Sequence, residues 1–140
     1  MRGALFTSMS LLRYDGFAEA PSFPEVRAEI LSRERELAAI DANLMATRRT
    51  DGTILVGDSH ATDAALPPFL DEATGETLRG AMATLLGSDI EVVERWQGVY
   101  AKSGSVNVVR EDLTPTVTAV VVTTGIGMTI SQGLAATTEL

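Results

Sequence analysis

The sequence predicts an α+β fold, and three observations carry that expectation. Segments of strand character alternate with segments of helical periodicity, in the order β, α, β-hairpin, α, β-hairpin, β, α. Asp51-Gly52 interrupts "NLMATRRTDGTILVGD" between two strand-like runs, the signature of a hairpin. The most apolar run, "VTAVVVTTGIG", is short, β-branched and ends in glycines, so it reads as a buried strand. The expected architecture is a mixed, largely antiparallel sheet with helices packed on one face. It forms a single domain over residues 1–140 and ends in a strand–GxG–helix element.

"ALFTSMSLLRY", residues 4–14, has the alternation of a strand, with Phe6, Ser8 and Ser10 set against Leu5, Met9 and Leu11. Gly16 and Pro21 then punctuate a turn. A helix is expected from "SFPE", where Ser22 and Glu25 have capping-box spacing and Pro24 suits a first turn. Val26, Ile30, Leu37 and Ile40 fall at helical spacing, and "SRERE" reads as a solvated helix face. Asp51-Gly52 fits a two-residue turn, because both residues tolerate positive φ. The second hairpin strand stops at Gly57, and a polar loop, "GDSHATDAALPP", follows. Asp71 and Glu72 read as a helix start. Leu78, Ala81, Met82, Leu85 and Leu86 mark an amphipathic helix closed by Gly87. "IEVVERWQGVYA" and "SVNVVR" read as a strand pair joined near Ser103-Gly104. "LTPTV" turns the chain into "TAVVVTTG", and residues 129–140 read as the last helix.

Composition narrows the function. The chain has 140 residues, no cysteine and one histidine, which leaves no material for a disulfide framework, a thiolate site or a histidine-built metal centre. No metal site is expected. A net charge of −8 disfavours nucleic acid and anionic membrane as partners. No segment has the roughly 20 apolar residues a bilayer span needs, and the N-terminus shows no small-residue cleavage site, so the expected location is cytoplasmic.

Three constellations suit chemistry. In "TTGIGMT" a strand runs into Gly125-x-Gly127 and a helix, whose free N–H groups and dipole favour an anion or electron-rich oxygen, and Gly127 lets backbone approach a flat ligand. The same residues also suit a plain strand-to-helix turn. In "GDSH", Asp58 can orient His60 as a base or anion contact, or the four residues form a polar strand-end loop. In "WQGVYA", Trp96 and Tyr100 either line a pocket or serve as core tryptophan and surface tyrosine. An enzyme without cofactor built on His60 and Asp58 would have little machinery, with no cysteine and no motif for an activated serine.

Taken in order, "NLMATRRTDGTILVGDSH", a helix, "VVERWQGVYA" and "VTAVVVTTGIGMTISQGLA" resemble the C-terminal half of FAD-dependent amine oxidoreductases. These form the D-amino acid oxidase, glycine oxidase and sarcosine oxidase superfamily. The similarity runs over residues 44–140, and "SMSLLRYDGFAEAPSF" with "GDSH" looks nearest a branch associated with phosphonate utilisation.

The resemblance implies that Gly125, Ile126, Gly127, Met128 and Thr129 lie against the flavin ring. It also implies that Trp96 and Tyr100 line the substrate side. In glycine-oxidase-like members an arginine at the Tyr100 position clamps the substrate carboxylate. A tyrosine offers no bidentate ion pair, so an aminoalkylphosphonate or another small primary or secondary amine is the expected substrate, with Arg13, His60 or Lys102 as anion partners. The implied chemistry is hydride transfer from the substrate α-carbon to flavin, giving an imine. The superfamily's GxGxxG unit for FAD does not occur here. The chain is therefore expected to be a substrate-binding, flavin-capping half that needs an N-terminal half or partner chain and self-associates without it. The alternative is a non-catalytic ligand-binding or interaction domain that kept the fold without the cofactor.

Overall fold

The computed structural model describes residues 3–13 and 15–137. The architecture is α+β, with helices and two small sheets whose pairings are all antiparallel. The strands do not join into the one sheet expected: three belong to a unit ending at Trp96 and two to a unit beginning at Gln97.

The first sheet has the order β1 (Leu5–Phe6), β2 (Met45–Arg48), β3 (Ile54–Gly57), with Leu5 opposite Ala46 and Ala46 opposite Val56. The strand expected over residues 4–14 survives only as β1. Thr7 N–H donates to the Leu44 carbonyl at 3.2 Å, and Ser10 N–H returns to the Thr7 carbonyl at 3.1 Å, closing the short helix α1 (Ser8–Leu11). Met9 and Ser10 are both buried. Adjacent residues of a half-buried strand point to opposite faces, so a helical turn is the geometry that buries both. Tyr14 lies outside the described residues.

A short helix α2 (Asp15–Ala18) leads to α3 (Phe23–Arg33). Pro24 occupies the first turn as expected, but the capping box does not form. Ser22 is itself helical (φ −81°, ψ −7°) and its side chain makes no cap bond. Phe23 N–H already bonds the Ala20 carbonyl at 2.9 Å, so the chain enters α3 from a preceding turn. A capping serine needs extended backbone instead. Glu34 (φ −109°, ψ 47°) separates α3 from α4 (Arg35–Ala39). Ile30 and Leu37 are buried, while Val26 stays exposed.

Helix α4 ends in a Schellman pattern: Ala42 N–H reaches the Leu37 carbonyl at 2.9 Å and Asp41 N–H the Ala38 carbonyl at 3.2 Å. The left-handed position is Asp41, φ 47°. Aspartate tolerates this region better than most side chains, though glycine is usual there.

The β2–β3 hairpin turns through three residues rather than two. Arg49 N–H bonds the Thr53 carbonyl at 2.9 Å, Gly52 N–H bonds the Arg49 carbonyl at 3.2 Å, and Gly52 alone in the turn has positive φ, 91°. That is a turn closed by a left-handed glycine. The Asp51 carboxylate accepts from Thr53 N–H (2.9 Å) and Thr53 Oγ1 (2.6 Å), which holds its pKa below the usual value and favours this longer loop.

Helix α5 (Glu72–Leu86) has both expected ends. The Asp71 carboxylate accepts from the N–H groups of Ala73 (3.3 Å) and Thr74 (3.0 Å). Gly87, φ 66°, closes the helix while Ser88 N–H bonds the Ala83 carbonyl at 3.1 Å. Residues 89–103 form neither helix nor strand. The part in the first unit is strapped to α5 by Arg95, whose guanidinium bonds Glu72 and Glu76 across Gly75. A Cβ on Gly75 would sit 2.9 Å from Arg95 Nε, so the bare helix surface there seats the arginine. Trp96, offered above as a core residue, is 62% exposed. The core of this unit is Met9, Ile30, Leu37, Ala42, Leu44, Ala46 and Met82, with Met82 completely buried.

The second unit pairs β4 (Val108–Thr114) with β5 (Val117–Val122) and adds α6 (Gly127–Thr137). The "SVNVVR" segment thus pairs with the following strand and not with "WQGVYA". A two-residue link, Pro115-Thr116, joins β4 and β5, with proline suited to the turn, while "WQGVYA" forms no strand to pair with. Leu113 is the extra residue at a bulge. Helix α6 starts at Gly127, two residues before Thr129. Among the described residues, no helix is long and apolar enough to cross a membrane.

Candidate functional site

The chemistry-bearing residues fall in two places, one in each unit. In the second unit β5 runs through buried Thr123 into the turn that opens α6. Gly125 adopts φ 73°, the left-handed region in which a side chain is strained. The Tyr100 ring lies directly on it. A Cβ at Gly125 would be 3.0 Å from Tyr100 Cζ and 3.2 Å from both Cε2 and Oη. Glycine is required twice over, for its backbone angle and for the tyrosine that covers it.

Two residues on, Gly127 is different. A Cβ there would meet only Val122 Cβ at 3.9 Å, an ordinary contact, so a side chain is accommodated. Thr129 and Ile130 N–H groups both bond the Ile126 carbonyl, at 3.0 and 3.2 Å. Met128 is 95% exposed, and Ile126 is exposed as well. Gly127 is half-buried, whereas Gly125 keeps an exposed face beside the Tyr100 ring. The Thr124 hydroxyl is buried without a partner among the described residues.

In the first unit the structure gathers Arg13, Asp41, Asp58 and His60. The left-handed turn at Asp41 directs its carbonyl out of α4, where it accepts from Arg13 Nη1 at 3.3 Å and lies 3.0 Å from His60 Nδ1. The Asp41 carboxylate also pairs with Arg13 Nη1 at 2.8 Å. His60 Nε2 lies 3.2 Å from Asp58 Oδ2. Asp58 is fixed by a reciprocal backbone pair with Asn43, 2.8 and 3.1 Å, and His60 N–H bonds the Ile40 carbonyl at 3.1 Å. The Asp58 hydrogen bond raises the His60 pKa above its ordinary value; burial opposes the shift and the Asp41 carbonyl adds to it.

Arg13 and His60, expected as anion partners, are therefore each engaged by an aspartate, with which an anionic ligand must compete. Lys102 is exposed in the second unit. Sequence reasoning placed Asp58 beside His60 but missed Asp41, since a left-handed aspartate after a short helix lacks the glycine that normally marks such an end. It also missed the Tyr100–Gly125 contact, which joins residues 25 apart with no shared motif. The described residues contain no group of three or more histidine, aspartate or glutamate side chains able to hold a metal ion.

Comparison with known proteins found no family model, no curated protein and no solved structure that matches this chain.

Proposed function

We propose that this chain forms the substrate-side, flavin-capping part of an FAD-dependent oxidoreductase acting on a small amine. One observation supports the reading above the others: Tyr100 packs on Gly125. The resemblance assigns Tyr100 to the substrate side and the Gly125–Thr129 turn to the flavin, and two such assignments should meet in space. A side chain at Gly127 would meet only Val122, which leaves room for the edge of an isoalloxazine ring, and the N–H groups of Gly127 and Met128 at the start of α6 suit its electron-rich oxygens. When bound, the flavin would accept hydride from the amine carbon. The chain's own residues would orient the ring at Gly127 and present the Tyr100 hydroxyl to substrate. The pyrophosphate grip would come from an N-terminal half or partner chain.

Gly127 provides the test, because a side chain there meets little protein. Lumiflavin, which carries the ring without the nucleotide, is titrated into the ¹⁵N-labelled chain. Amide shifts are expected at Gly125, Gly127, Met128 and Thr129, and Gly127→Val should abolish them while leaving the remaining spectrum folded. Shifts elsewhere only, or shifts unchanged in the variant, would overturn the assignment. A second reading, a ligand-free interaction domain, is favoured by the exposure of Val99, Leu113 and Met128, and predicts no lumiflavin response.

The specificity expectation is tested once an FAD-binding half restores turnover. Tyr100→Arg should raise kcat/KM for carboxylate-bearing amines about ten- to a hundredfold, the worth of a charge-assisted bond, without a comparable gain for neutral amines. Equal gains for both classes would show that residue 100 does not face the substrate's acid group.

A further inference from the structure

His60 lies between two groups that can only accept hydrogen bonds: the Asp41 carbonyl, 3.0 Å from Nδ1, and the Asp58 carboxylate, 3.2 Å from Nε2. The ring itself is only 13% exposed, with the more open Asp58 carboxylate beside it. A neutral imidazole has one N–H and an imidazolium has two. Only the imidazolium satisfies both contacts. Either neutral tautomer leaves a nitrogen lone pair facing an oxygen.

We propose that His60 is a proton-operated clasp: its doubly protonated ring adds a side-chain link between the loop leaving β3 and the turn between α4 and β2, and it releases the Asp41 carbonyl when it loses one proton. The release has a direction. The proton kept on Nε2 faces a carboxylate, a stronger acceptor than the Asp41 carbonyl, so the Nδ1 link is the one lost. Asp41 has its own reason to move, being a non-glycine residue at φ 47° whose carbonyl is held outward by Arg13 and His60. The charged groups facing the ring are Asp58, Asp41 and Arg13. The Arg13 guanidinium opposes the imidazolium but is itself paired with the Asp41 carboxylate. The Asp58–Asn43 backbone pair and the His60 N–H bond to the Ile40 carbonyl do not depend on the ring proton, so the release frees the ring and the Asp41 turn while the loop stays attached at Asp58 and His60. Because the folded-state pKa is raised, the contribution of the clasp is complete below the unfolded imidazole value of about 6.5. It is lost as pH rises through the folded value.

His60 is the only histidine in the chain, so its ring protons give one unambiguous NMR titration. The full chain is titrated from acid to alkaline pH while ring and amide signals are followed. The ring midpoint should lie above the ordinary value, and the amides of Asp41, Asp58 and His60 should shift with that same midpoint. Amide protection at Asp41 and Ala42, whose N–H groups close the end of α4, should fall about five- to tenfold beyond its intrinsic pH dependence, the equivalent of one lost hydrogen bond. Asp58→Asn should bring the ring midpoint down toward the ordinary value, and His60→Gln should remove the amide transition. A wild-type midpoint at or below the ordinary value would overturn the clasp, as would Asp41 and Asp58 amides that ignore the titration.

Discussion

Met82→Ala is expected to lower the unfolding free energy of the first unit by about 3 kcal/mol, within the range of roughly 2–5 kcal/mol for truncating a buried methionine. Met82 is completely buried, at the centre of a core shared by α3, α4, the residues entering β2, and α5. Removing three heavy atoms there loses their transfer energy and leaves a cavity that the surrounding structure fills only in part. Leu85, three residues on, is 48% exposed and supplies the control. Leu85→Ala should cost well under half as much, because surface positions usually change stability by less than about 0.5 kcal/mol and partly buried ones by little more. Urea unfolding followed by far-ultraviolet circular dichroism reads both. Equal losses would mean that this core is not organised around α5. Since whole domains are stable by only about 5–15 kcal/mol, the methionine variant should also show a visibly lower midpoint.

Local signals were legible where the chain itself supplies the partner. Asp71 and Gly87 bound α5 because a carboxylate accepts from the next turn and a glycine takes φ 66°, and both facts travel with the residue type. Asp51-Gly52 announced a hairpin, but the carboxylate's bonds to Thr53 set a three-residue loop that dipeptide preference alone does not specify. Pairing between distant segments was not legible. "WQGVYA" has the β-branched and aromatic character of a strand, yet "SVNVVR" extends to Thr114 and pairs across Pro115-Thr116 instead. Ser22 and Glu25 have the spacing of a capping box, but the turn at Ala20–Phe23 had already made Ser22 helical. At the candidate sites, residue types indicated that Gly125, Gly127 and His60 matter. Residue types do not reveal that Tyr100 packs on the first, that a side chain at the second would meet only Val122, or that Asp41 completes the surroundings of the third.

Gly125→Val should disrupt the second unit far more than Gly127→Val does, although the two glycines stand in one turn. At φ 73° a non-glycine residue costs about 1–2 kcal/mol, and a β-branched one more. The added Cβ would also enter within 3.0 Å of Tyr100 Cζ, and overpacking of that kind costs roughly 1–3 kcal/mol. Together these reach about 2–5 kcal/mol. The second unit is poorly placed to absorb such a loss, since it consists of one two-stranded hairpin and a helix with no buried residue. Amide exchange along Val117–Val122 and α6 should therefore accelerate by tenfold or more, while the core around Met82 keeps its protection. The two causes separate in a double-mutant cycle with Gly125→Ala and Tyr100→Ala. Removing the ring relieves the clash but leaves the backbone strain, so Tyr100→Ala should recover part of the loss caused by Gly125→Ala and not all of it. Full recovery would show that the left-handed angle is not imposed by the turn. No recovery would show that Tyr100 does not rest on Gly125, and the contact on which the flavin-capping reading depends would be gone.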